Sequence, residues 1–87
     1  MPYLPEEVAI IDGMITAYFS APGVSRDLRE SYRSVHLHLQ SGHLERSDYR
    51  RIRDAIDFLL PSLRSEPNDY RIMVSALVKT RSVLSAG

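Results

Sequence analysis

Apolar positions in this chain recur at intervals of three and four, in four separate stretches. At about 100° per residue, that spacing gathers them on one side of an α-helix. The first stretch covers residues 5–20. Pro5 suits a first helical position, and Glu6 and Glu7 complement the positive end of the helix dipole. Val8, Ile11, Ile15, Tyr18 and Phe19 share a face that Ile10, Met14 and Ala17 widen, leaving Asp12, Thr16 and Ser20 as a narrow polar strip. Gly13 stands mid-helix, where it costs about 1 kcal/mol against alanine. A close helix crossing would explain it; a simple fault in the helix is the alternative.

The "APGV" run at residues 21–24 stops the first helix, and Ser25 is a good cap for the second. Leu28, Tyr32, Val35 and Leu39 follow at spacings of four, three and four, and Gly42 closes the helix. "VHLHLQ" also alternates like a strand, but no other segment offers a partner strand, so helix is the expectation. Ser47 is read as the cap of a third helix whose stripe is Tyr49, Ile52, Ile56, Leu59, Leu60 and Leu63. Pro61 should end or kink it. Pro67 starts a fourth helix that buries Tyr70, Met73, Leu77, Thr80 and Leu84, flanked by Ile72, Ala76 and Val83. The reading is one all-α domain over residues 1–87, a small bundle of four helices. The first and last helices are apolar over about half their circumference, while Leu37 and Phe58 lie opposite the stripes of their own helices. Surplus apolar surface of this kind predicts a homodimer, with Leu37, Phe58, Ile72 and Val83 as its dimer or partner surface.

Composition narrows the function. Eleven basic and eleven acidic side chains cancel, so there is no global field to hold nucleic acid or an anionic membrane. The absence of cysteine excludes disulfides, thiolate nucleophiles and cysteine-based zinc sites. Two glutamates near the N-terminus stand where a secretory signal carries positive charge, and no apolar run approaches the roughly 18 residues of a membrane span. A cytoplasmic location and no membrane association are expected.

All three histidines fall in "SVHLHLQSGH". Helical metal ligands lie three or four residues apart, but His36 and His38 are two apart and face opposite ways. His43 lies beyond the closing glycine, and no carboxylate completes a set. No metal and no cofactor are expected. Nor is there a nucleophile motif, a phosphate loop or a recognisable carboxylate pair, so the chain reads as a non-enzyme. The histidines read as polar helix surface, with a pH response of His36, His38 and His43 as the alternative.

Arg46, Arg50 and Arg53 share a face of the third helix and are candidates for contacting nucleic acid or a partner. Asp54 and Asp57 follow Arg50 and Arg53 by four residues, which favours a solvated, salt-bridged face over a DNA-binding one.

"ITAYF" (residues 15–19), "LQSG" (residues 39–42), the apolar helix through Ile56 and Leu59, and "YRIMVSALV" (residues 70–78) together resemble the small bacterial regulators of the YmgB/AriR and YcgZ type. The resemblance runs from about Ile10 to Val83 and rests on core and cap positions. The arginine-rich third helix and Pro61 depart from the family's pattern. It implies an all-helical homodimer without catalytic residues, acting as a connector to two-component signalling, with a sensor kinase or phosphorelay component as partner and effects on biofilm formation and acid resistance. Tyr18, Phe19, Gly42 and Tyr70 carry over as structural positions only. The leading expectation is thus a small cytoplasmic regulatory protein acting by protein–protein interaction. The alternatives are a DNA-binding regulator using the three arginines and a phage-type inhibitor of a host protein.

Overall fold

The computed structural model describes residues 2–20 and 22–86, apart from the Phe19 side chain. Four helices form: α1 (Pro5–Phe19), α2 (Arg26–Ser41), α3 (Arg46–Leu59) and α4 (Pro67–Ser85), with a 3₁₀ turn at Leu60–Leu63 between the last two. No strand occurs among the described residues. The helical reading of "VHLHLQ" therefore holds. The expected places of Phe19 on the apolar face and of Ala21 in the helix stop fall outside the described positions.

Local chemistry accounts for most boundaries. Ser25 Oγ accepts from the Leu28 N–H at 3.2 Å and caps α2. Gly42 ends it at φ 79°, where a side chain would be strained. Pro61 cannot donate to a continuing helix, and the chain tightens into the 3₁₀ turn at Leu60. One cap differs from expectation. Helix α3 begins at Arg46, after Glu45, and Ser47 lies inside its first turn. The Asp48 carboxylate accepts from the Glu45 N–H at 2.8 Å, satisfying the donor that the Ser47 reading left open.

The helices pack in a ring, each against the next and α4 back against α1, with α1 also touching α3 across the middle. Helices α2 and α4 sit on opposite sides of that pair. The core takes Ile11 and Ile15 from α1, Tyr32, Val35 and Leu39 from α2, Ile52 and Ile56 from α3, and Met73 and Leu77 from α4. Tyr70 and Leu84 are only partly covered. Tyr3 folds its ring back against Tyr49 and joins the core. No helix is long and apolar enough to cross a membrane.

Candidate functional site

The polar groups singled out in the sequence are mostly occupied in holding helices together. Nδ1 of His36 donates to Asp12 of α1, whose other oxygen accepts from Gln40 at 3.1 Å. Nδ1 of His38 donates to Asp48 of α3 at 2.8 Å. The two imidazoles do face opposite ways, and each meets a carboxylate on a different neighbour. This corrects the reading of His36 and His38 as plain helix surface: tertiary packing brings Asp12, from the narrow polar strip of α1, and Asp48 against them. His43 is exposed after Gly42. Among the described residues, no cluster of three His, Cys, Asp or Glu side chains could hold a metal ion.

The arginines part company. Arg46 donates to the Leu84 carbonyl near the end of α4, a natural place for a cation beside exposed carbonyls. Arg53 pairs with adjacent Asp54 at 3.1 Å, and Asp57 pairs with Arg81 of α4 at 3.2 Å. The expected intrahelical pairs at spacing four are therefore not made. The competing partners lie next door in sequence or across the α3/α4 contact. Arg50 is exposed and, alone of the three, has no partner among the described residues.

A polar cluster the sequence reading missed lies where α1 meets α4. Glu7 is only 2% exposed, and its carboxylate accepts from Lys79 at 2.7 Å, from Ser75 at 2.8 Å and from the Leu4 N–H at 2.8 Å. Burial pushes the carboxyl pKa up, but these three hydrogen bonds and the Lys79 charge outweigh it and hold the group below its ordinary value. A carboxylate so stabilised is a poor base for activating Ser75. Beside it the Tyr3 hydroxyl meets Thr80 Oγ1 at 2.6 Å, and burial pushes that hydroxyl up to about 12 against the effect of this bond. Both groups are satisfied internally. The cluster pins the chain start to α4 and offers nothing to a substrate. Its only sequence signal was a glutamate at the third position of a helix, where a side chain reaches back to the N-terminal N–H groups.

One surface left open to a partner is apolar. Ala9, Gly13 and Ala17, four apart on α1, are all exposed. A Cβ placed on Gly13 would meet no atom within 4 Å, so no helix of this chain crosses closely there. The close-crossing explanation for Gly13 is thereby corrected. Instead, Gly13 lines a cavity of about 310 Å³ floored by Ile10 and Met14 and walled by Leu59 and Leu63. A second cavity of about 560 Å³ continues past Tyr18 to Val24 and Leu28, with Phe58 on its wall. Ala17 and Leu59 line both, so the two form one groove. Phe58 is 71% exposed and touches Tyr18 edge-on at 6.2 Å between centroids. Leu37 is also open, at 59%, but lies on α2 outside the groove. Ile72 lines a separate polar cleft beside Glu6 and Glu7, and Val83 packs against the core. The four residues expected to share one surface are thus dispersed, and only Phe58 belongs to the groove. No protein-family model, curated protein or solved structure matches this chain.

Proposed function

We propose that the protein is a small non-enzymatic regulator that acts by binding another protein along the α1 groove. One observation carries the reading: an apolar groove, bordered by the exposed Phe58, runs along Ala9, Gly13 and Ala17 of α1. Exposed apolar patches of this kind on a small domain mark sites of association. Of the polar candidates, His36, His38, Arg46 and Arg53 are engaged in internal bonds. The resemblance to the YmgB/AriR and YcgZ regulators adds a direction, namely a cytoplasmic partner within two-component signalling and a role touching biofilm formation or acid resistance. DNA binding is the weaker use, because Arg46 and Arg53 are engaged within the chain and only Arg50 stands free.

The test pairs two measurements on the purified full chain. Affinity capture from the native host should recover one stoichiometric protein with the wild type and lose it with Phe58→Asp, whose Tm should fall by no more than the few degrees that the Tyr18 contact is worth. Labelled duplex DNA should show no anisotropy change at low salt. Salt-sensitive DNA binding that disappears with Arg50→Ala and Arg53→Ala, alongside no Phe58-dependent protein, would replace this reading with the DNA one.

A further inference from the structure

We infer that the α1 groove takes a single amphipathic helix from a partner protein, carrying a basic residue at one end of its apolar stripe, rather than a second copy of this chain. The inference rests on the proposed function and names the chemistry of its partner.

Area decides between the two occupants. A folded monomer of 9.9 kDa exposes about 5200 Å² by the usual scaling, and this one exposes 5382 Å². The total surface is that of an ordinary domain of this mass. A stable interface needs about 800 Å² from each partner. The stretch of α1 from Ala9 to Ala17 is about 12 Å long, and the Tyr18 cavity carries the groove on to Val24 and Leu28. At one helix diameter across, about 10–12 Å, the footprint is on the order of a few hundred Å². That is too little for a standing dimer and about right for three or four turns of one docked helix. The lack of any Cβ at Gly13 lets such a helix approach closely, with its apolar side chains directed at Ile10 and Met14.

Charge supplies the second argument. Among the described residues, Asp69 is the only charged side chain lining the groove, and it borders the cavity away from Phe58. It makes no hydrogen bond or ion pair within the chain. A lysine or arginine past the last apolar anchor would pair with it, and a cation in the last turn also suits the dipole of its own helix. The occupant is thus oriented, with its basic C-terminal end at Asp69 and its other end at Phe58.

The probe is a fluorescein-labelled designed peptide with leucines at i, i+3, i+4 and i+7 on an alanine and glutamine background, and one arginine in its last turn. A twin peptide carries glutamate instead. Anisotropy against the full chain should show the arginine peptide bound about tenfold more tightly than its twin, with Asp69→Lys reversing the order. Gly13→Leu, which fills the groove floor and improves the helix, should abolish binding of both while leaving the thermal melt intact or raised. Equal binding of the two peptides, or binding that survives Gly13→Leu, overturns the inference. So does a dimer seen by sedimentation at micromolar protein that Gly13→Leu dissociates, since the occupant is then a second copy. If the peptides fail while capture of a host protein still depends on Phe58, this inference falls and the proposed function stands. If that dependence is also missing, both fall.

Discussion

At the scale of single residues, stability is concentrated in places of opposite character. Gly13 loses conformational entropy on folding without packing against anything. Gly13→Ala should stabilise the fold by about 0.5–1 kcal/mol, raising Tm by roughly 4–8 °C per kcal/mol for a domain of this size. A fall in Tm on circular dichroism would mean that this backbone needs glycine. Glu7 is the reverse case. Lys79→Met leaves a carboxylate buried without its countercharge and should cost about 3 kcal/mol, whereas Glu7→Gln leaves a lysine that reaches solvent and should cost less. Denaturant unfolding of the two variants ranks them. The same bonds set a pH dependence. The Glu7 carboxyl sits lower in the folded chain than its ordinary 4.5. Its contribution is therefore complete above that value and is lost as pH falls through the lower folded value. Glu7→Gln should flatten the acid limb of a stability–pH curve below about pH 4.5 and leave neutral pH slopes unaltered. Tyr3 acts at the other extreme. Raised from 10.0 to about 12, it contributes fully below pH 10 and loses that contribution as pH climbs towards 12. Tyr3→Phe should therefore soften alkaline unfolding, measured by the same titration, with Tyr32 and Tyr49, both also raised by burial, supplying the remainder.

At the scale of elements, α2 is fastened by polar side chains on both flanks. His36 and Gln40 bond to Asp12 of α1, His38 bonds to Asp48 of α3, and the Tyr32 hydroxyl donates to the Arg51 carbonyl at 3.4 Å. Asp48 carries two duties, closing the start of α3 through Glu45 and holding His38. Its replacement by alanine should cost about 2 kcal/mol, more than His38→Ala, because a helix cap is lost with the cross-helix bond. A double-mutant cycle on His38 and Asp48, read by denaturant unfolding, should give a coupling of about 1 kcal/mol. A coupling near zero would show that the pair merely coexists, each group being satisfied by water.

At the scale of the whole molecule, the core and the groove are separable. Ile52 and Ile56 lie on the inner face of α3, both fully buried, and either cut to alanine should cost about 2–5 kcal/mol. Phe58 lies two residues past Ile56, on the other side of the same helix, and Phe58→Ser should change stability by no more than about 1 kcal/mol, the value of its edge contact with Tyr18. Parallel melts of Phe58→Ser and Ile56→Ala check the contrast. Comparable losses would place Phe58 in the fold and not at a binding surface.

The four helices and most of their ends were legible in the sequence because their causes are local. Apolar spacing of three and four, Ser25, Gly42, Pro61 and Pro67 each act within one or two turns of their own position. The core stripes of α2 and α3 were legible for the same reason: periodicity fixes which residues share a side, and only one side of a small bundle can be buried. What an outward-facing polar residue meets could not be read this way. His36 and His38 were correctly placed on opposite sides of α2, but their carboxylates lie 24 and 10 residues away, on helices whose docking only the fold sets. Asp57 found Arg81 on α4 in place of Arg53 for the same reason. The start of α3 was missed by a shorter range of the same effect, since Asp48 serves both its own cap and a neighbouring helix. The groove is wholly tertiary. Ala9, Gly13 and Ala17 spell an unremarkable stretch of helix, and become the edge of a channel only because α3 and its 3₁₀ turn line the opposite side and leave them exposed. Local sequence thus determined which residues coil together, while the docking of the helices decided which polar groups are consumed and which apolar surface is left open.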